Sequence, residues 1–461
     1  MSDPVASPAK RPTAASREQA RRSASRSPSG SLYRVFWRWH FFAGVLVTPV
    51  LLIVTITGAL SIFRAEIEDY AHAHLRFVEP GSARLPASEQ VEAARSSRPE
   101  LQPESLEQSA DPNRASIVRL GDGTRSSRVA VYVDPYRGDV LGAVESGEPD
   151  PLSVFFDATL TLHRQLFLGT AGRLLVELTV GWTVILLMTG AYLWWPDTIA
   201  RTIGVWRPRL RGKPYIILRD LHTVTGIYAL TPMFLIVVTG LFYTIVWGEA
   251  FHLATRSLGG TPPAASTPDR GSPEKDPGAE ASLPLDRIEQ LARKTYPDRN
   301  LTIDLDREPG EGVQVRASND YNNSYGPYVS AELELDPVDG SIRSHSTLAE
   351  NERYWWHGWT YPLHVGSILG PTTKVLWLIS CLVLIGLPIT GVWMWWVRRP
   401  PGRTGFPKRP ARVLPPWLIG LVALFGILLP IVGASMLLIL LGEWTLGLAR
   451  RLLRVGRASS A

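Results

Sequence analysis

Leu221–Trp247 reads LHTVTGIYALTPMFLIVVTGLFYTIVW, a histidine at the mouth of a long apolar run. Trp39–Phe63, WHFFAGVLVTPVLLIVTITGALSIF, says the same thing earlier. His40 precedes Gly44 and Thr57-Gly58, and His222 precedes Gly226 and Thr239-Gly240, at the same offsets of 4, 17 and 18. A second motif is also written twice. His163 precedes Gly169, Arg173 and Thr189-Gly190, while His364 precedes Gly370, Lys374 and Thr390-Gly391, at offsets of 6, 10, 26 and 27. The order is A-B-A′-B′, with one histidine in each unit.

Five stretches, near 39–63, 174–195, 222–247, 374–397 and 416–441, are apolar for 20 or more residues. At ~1.5 Å per helical residue each is long enough for a ~30 Å hydrocarbon layer. The expectation is a membrane α-helical bundle of duplicated helix pairs, four core spans plus a fifth C-terminal span. In order, it has a disordered tail (1–30), TM1 (31–63), an outer domain (64–162), a lead-in with TM2 (163–195), a loop (196–221) and TM3 (222–247). A second outer domain (248–356, with a Pro-rich linker at 256–284), a lead-in with TM4 (357–397), a loop (398–415), TM5 (416–441) and a basic tail (442–461) follow. A lead-in continuous with TM2 would make a helix of ~48 Å, too long for the hydrocarbon alone, so the helix either projects from the bilayer or breaks around Gly169–Gly172, which puts the outer histidine pair at the interface or above it.

Lys and Arg crowd three flanks: before the first span, between the second and third (Arg201 to Arg219), and after the fourth (Arg398 to Arg412). Such flanks resist translocation, which places them and the N-terminus in the cytoplasm and the two long segments outside. The net charge of +6 follows from topology and implies no nucleic acid. Cys381 is the only cysteine, so the chain alone forms no disulfide and holds no iron–sulfur cluster.

The outer segments share a plan. The first carries a helix candidate at Ser88–Ala94, strand-like runs at Ala115–Leu120 and Arg128–Val133, and the turn DPYRG from Asp134 to Gly138. The second carries a helix at Leu285–Thr295, strands near Leu301–Leu305, Gly312–Ala317 and Tyr328–Leu335, and the turn DPVDG from Asp336 to Gly340.

Ionisable groups in spans are costly and read first as functional. Spans one and three run outward and spans two and four inward, a parallel repeat about an axis along the membrane normal. His40 is therefore expected to face His222, and His163 to face His364. Two imidazoles on an axis without thiolates suit bis-histidine haem; hydrogen bonding to a neighbouring helix is the ordinary alternative for any one of them. Gly44 and Gly226 clear space for a macrocycle or simply let helices pack. Arg173 and Lys374 pair with haem propionates or anchor the interface. His357 is a reserve ligand, and Glu177 either relays a proton or faces a polar neighbour.

The H-x3-G…TG spans, the TG-x-x-x-WW endings and the paired outer segments closing on DPYRG and DPVDG together resemble the PepSY-associated transmembrane-helix family, over roughly residues 31–441. The resemblance implies two small α+β PepSY-like periplasmic domains on the bundle. It also implies an iron-regulated protein of the bacterial inner membrane with haem b, two per chain, on the metal ligands His40, His163, His222 and His364. The implied activity is that of an oxidoreductase passing electrons to a ferric siderophore or other Fe(III) chelate. No G-x-G-x-x-G follows a strand, so the electron donor is another, unidentified molecule. The alternatives are a haem-free membrane-anchored PepSY module binding a peptidase or other envelope protein, and a transporter for iron or siderophore.

Overall fold

The computed structural model describes residues 28–123, 128–145, 150–195, 202–260, 283–307, 311–322, 325–348, 350, 356–407 and 416–458. The tail at 1–27 and most of the Pro-rich linker, residues 261–282, lie outside them. The chain divides into two compact units. One is built from Met1–Leu52, Leu178–Phe234 and Val383–Ala461; the other from Ile53–Glu177 and Leu235–Leu382.

The second unit contains the sheet. After α1 (Pro28–Ser61) come the short helices α2 (Arg64–Ala71) and α3 (Ala73–Arg76), then α4 (Ala87–Ser97) and strands β1 (Gln102–Gln108), β2 (Ser116–Gly121), β3 (Val129–Val133) and β4 (Val140–Glu145). Alternation drives the pattern: Val129, Val131 and Val133 are buried while Ala130 and Tyr132 face partly outward. The turn after β3 forms as its residues demand. Asp134 accepts hydrogen bonds from the Tyr136 and Arg137 amides, and Gly138 takes φ 75°.

The chain continues through α5 (Pro151–Gln165), α6 (Gly169–Trp194), α7 (Pro214–Tyr228), α8 (Leu230–Leu241) and α9 (Val246–Ser257). A second copy of the soluble plan follows: α10 (Leu285–Thr295), β5 (Asn300–Asp304), β6 (Val313–Ser318), β7 (Ser330–Leu335) and β8 (Ile342–Thr347). The two copies are joined. They form one antiparallel eight-stranded sheet in the order β4-β3-β2-β1-β5-β6-β7-β8, with Leu106 opposite Ile303 and Glu107 opposite Thr302 at the seam. Their cores join as well, since Leu285 and Leu305 pack against the buried clusters of both copies. Ser88, through its amide and its hydroxyl, donates to the Asp286 carboxylate at 2.8 and 2.9 Å and ties the start of α4 to that of α10. The outward sheet face carries cross-strand ion pairs, Arg119 with Glu107 and Arg128 with Glu104, which belong in water.

Among the described residues three helices are long and apolar enough to cross a membrane: Leu32–Ser61 within α1, α6 (Gly169–Trp194), and α12 (Pro371–Arg398), which follows α11 (Trp356–Val365). The third expected span is broken, because α7 and α8 meet at 68° across Ala229. Pro232 offers no N–H to the carbonyl of Tyr228 and its ring crowds that carbonyl. Pro49 sits in the unbroken α1; it lies nine residues after its histidine and Pro232 ten, so the prolines are not repeat mates.

The fifth expected span, 416–441, is corrected more strongly. The chain forms α13 (Pro416–Leu428) and α14 (Pro430–Ala458), and a Cβ on Gly433 would lie only 2.4 Å from the Gly426 carbonyl oxygen. Residues seven apart on a straight helix are ~10 Å apart, so the chain turns sharply at Leu429–Pro430. The apolar part of α14, Pro430–Gly442, is ~20 Å long and too short to span alone. This hairpin packs within its unit on the second span, where the Trp182 indole N–H donates to the Ser435 hydroxyl at 3.1 Å.

The breaks before the second and fourth spans exist in both halves. Leu166 and Phe167 adopt φ of 52° and 58° between α5 and α6, and Gly366 takes φ 79° between α11 and α12. The first break falls slightly before the expected Gly169–Gly172, and Gly172 is where it packs. A Cβ there would meet the Gln165 carbonyl oxygen at 1.8 Å.

Candidate cofactor site

All four repeated histidines come together in two pairs. In the first unit His40 of α1 faces His222 of α7, with ring centres 6.3 Å apart and planes at 84°. In the second unit His163 in the last turn of α5 faces His364 in the last turn of α11, again 6.3 Å apart, at 52°. The pairing expected from the repeat is the one the structure has, and each pair takes one histidine from each half of the sequence.

Each imidazole is held the same way. Nδ1 of His40 bonds Thr189 Oγ1 at 2.9 Å, and His222 bonds Thr390 Oγ1 at 3.1 Å. Nδ1 of His163 bonds Thr57 Oγ1 at 3.2 Å, and His364 bonds Thr239 Oγ1 at 3.3 Å. A backbone carbonyl three residues before each threonine shares the contact: Leu186, Leu387 (3.0 Å), Val54 (2.9 Å) and Ile236 (3.1 Å).

The threonines explain the Thr-Gly motif. Each hydroxyl already donates to a carbonyl of its own helix, Thr57 to Ile53 and Thr189 to Ile185 at 2.7 Å, Thr239 to Leu235 at 2.6 Å and Thr390 to Gly386 at 2.7 Å. An oxygen that has spent its proton accepts, and carbonyls only accept. Nδ1 must therefore carry the imidazole proton in all four, which leaves the lone pair on Nε2. A carbonyl-anchored Nδ1–H with a free Nε2 is the state of a metal-ligating histidine. The adjacent glycine makes room: a Cβ on Gly58, Gly190, Gly240 or Gly391 would lie 3.1, 3.3, 3.1 or 3.6 Å from the Cε1 of its histidine.

The spacing suits one ion between two rings. Nε2–metal bonds of about 2.0–2.1 Å on both sides, with about 1.2 Å from ring centre to Nε2, put facing centres roughly 6.4–6.6 Å apart, close to the 6.3 Å found. The donor set and separation fit an axially held metal centre such as haem iron.

The other candidates sort differently. A Cβ on Gly44 would lie 3.9 Å from Leu186 Cδ2 and one on Gly226 3.3 Å from Leu387 Cδ2, so at both glycines the nearest neighbour is a leucine of the facing helix. Lys374 is buried and donates from Nζ to Glu66 Oε1 at 2.6 Å, so its charge is met within the protein. Arg173 is half-buried at the matching position. Glu177 accepts from the Val246 and Trp247 amides at 2.8 Å each and caps the start of α9, where a carboxylate complements the helix dipole. The reserve ligand His357 is exposed and sits beside Trp356, which also packs on His252. Outside the pairs, His345 accepts from or donates to the Tyr296 hydroxyl at 2.6 Å, and His72 lies 3.4 Å from Asp150. The role of the threonines was the part missed from sequence, although their fixed offsets from the histidines carried the signal.

Repeated apolar helices long enough to cross a membrane, an eight-stranded antiparallel sheet and two histidine pairs define a membrane protein of repeated architecture. Residues 37–398 match the model of the PepSY-associated TM region, and the chain belongs to that family. No curated protein matches the chain.

Proposed function

We propose that this chain is a haem b electron-transfer protein of the bacterial inner membrane that reduces Fe(III) chelates such as ferric siderophores on the periplasmic side. The observation that carries the reading is the pair of imidazole pairs, each 6.3 Å apart, with all four Nδ1 protons committed to carbonyls and threonines. Haem b, when bound, supplies one-electron cycling between Fe(III) and Fe(II). The protein's part is to hold two neutral imidazoles per iron, fix their tautomer and keep the rings from rotating. Arg173 remains the basic side chain available for a propionate, while Lys374 is committed to Glu66.

On the topology that the basic flanks favour, the first pair takes up electrons on the cytoplasmic side and the second hands them on at the periplasmic side. A separate donor delivers electrons on the inner side, and reduction of the acceptor releases iron because hard oxygen ligands hold Fe(III) far more tightly than Fe(II). The bend at Ala229 invites a transporter reading, yet α1 runs straight through the matching region, whereas broken-helix transporters break both halves alike.

The test is the optical spectrum of purified protein, oxidised and dithionite-reduced, with haem quantified per chain. The reading expects sharp reduced bands of six-coordinate b haem, about two per chain. His222→Ala and His364→Ala should each remove about half of them. Colourless protein from haem-replete cells would end it in favour of an anchored binding module.

A further inference from the structure

The second pair is half-buried inside its unit, and a continuous file of tyrosine rings leads away from it within that unit. The Tyr243 ring centre lies 5.6 Å from that of His364. Tyr361 follows at 6.5 Å, and Tyr321 stacks on Tyr361 at 3.9 Å with planes only 21° apart. Tyr328 meets Tyr321 edge-on at 4.8 Å. The file ends in the open, since Tyr321 is 42% exposed.

The file is fixed in place. The Tyr243 hydroxyl donates to Thr360 Oγ1 at 3.2 Å, and the Tyr328 amide donates to the Gly358 carbonyl at 2.8 Å. Gly358 is required for that approach, because a Cβ there would stand 2.4 Å from the Tyr328 oxygen. The fold does not demand the rings. The offset of 182 that carries His40 onto His222 carries Ser61 onto Tyr243, and the offset of 201 that carries His163 onto His364 carries Leu160 onto Tyr361. The first half has no tyrosine at either position.

We infer that Tyr243, Tyr361 and Tyr321 are the electron exit from the second pair, and that a metal chelate bearing aromatic rings docks against the exposed part of Tyr321. The inference rests on the haem reading above. Coupling between redox centres falls steeply across gaps, and stacked rings offer a packed path; the tyrosines conduct without being oxidised. With haem iron held by His163 and His364, one electron would pass from its ferrous form to the Fe(III) of the chelate, so that the haem iron is oxidised and the chelated iron reduced. No covalent bond forms or breaks. An exposed tyrosine face stacks on planar rings, which selects aromatic chelators of the catecholate type over small aliphatic ones.

Docking is tested without electron transfer, by titrating the oxidised protein with the redox-inert gallium(III) tris-catecholate and following tyrosine fluorescence. Tyr321→Ala should weaken binding by about tenfold, whereas Tyr321→Phe and Tyr361→Leu leave it unchanged. The route is tested by stopped-flow reoxidation of pre-reduced protein with the ferric tris-catecholate. Tyr361→Leu should lose the fast phase and Tyr361→Phe keep it, with haem content and midpoint potential of both at wild-type values. Equal gallium binding by Tyr321→Ala and wild type overturns the docking site, and an intact fast phase in Tyr361→Leu overturns the route. Absence of haem, with gallium binding still dependent on Tyr321, would instead sink the reading on which the route rests.

Discussion

At each of the four histidines a threonine and a glycine act together, the hydroxyl fixing which nitrogen bears the proton and the missing side chain letting the ring approach. The two contributions separate by mutation. Thr189→Val keeps the shape but removes one of the two acceptors of the His40 Nδ1 proton, so the imidazole becomes a weaker donor to iron. Fe(III) loses more than Fe(II), and the potential of the proposed first haem should rise by about 30–60 mV, half to one decade for a one-electron couple. Spectroelectrochemical titration reads that shift, and a fall in potential would contradict the assigned tautomer. Gly58→Ala tests the space. Alanine is normally the better helix former by about 1 kcal/mol, yet its Cβ would lie 3.1 Å from His163 Cε1. The expected result is a helix content at or above wild type with the second haem lost or high-spin; a normal spectrum would show that the ring has room to spare.

Among the elements, the turns and helix ends were the most legible parts of the sequence. DPYRG and DPVDG form the two expected turns, and Leu285–Thr295 is a helix with the expected bounds. The strand β1, QPESLEQ, was not legible. Its proline and its charged and amide side chains say little about a strand, and it lies centrally only because β2 and β5 flank it on either side. Nor was the hairpin of α13 and α14 visible, because a proline within an apolar run of spanning length reads as a kink, and only the close approach of Gly426 and Gly433 reveals a reversal. The soluble elements also set an acid limit. Burial alone would raise the carboxyl of Asp69 in α2, but hydrogen bonds from Arg114 and Arg76 outweigh it and hold it below the usual range. Burial likewise opposes the Asp336 shift, and the Val338 and Asp339 amides with Arg343 hold that carboxyl low. Groups with depressed folded pKa values stabilise above their unfolded value of about 3.9, and that stability drains away as pH falls through the folded values. Thermal melts of the detergent-solubilised protein should therefore be flat from about pH 7 to 5 and drop below about pH 4, more shallowly for Asp69→Asn. An onset of loss near pH 6 would point to histidines instead.

For the whole molecule, the repeat predicts that neither half is a working unit. The sequence announced the duplication through histidine offsets, but it gave no sign that the two soluble copies would share one sheet, since strand edges carry no mark of their partner. The seam from Ser105 opposite Asp304 to Gln108 opposite Leu301 joins the halves through backbone hydrogen bonds, and both histidine pairs join them again. Cutting the chain between Trp195 and Pro214 therefore leaves each half with one histidine of each pair. Expressed alone, either half should insert into membranes yet lack the six-coordinate b-haem spectrum. Co-expressed, the halves should associate through the β1–β5 seam and recover it. Absorption spectra with haem quantification on the three preparations decide the matter. A single half showing the full reduced bands would mean that its histidines pair within that half or between two copies of it, and the cross-repeat pairing would have to be abandoned.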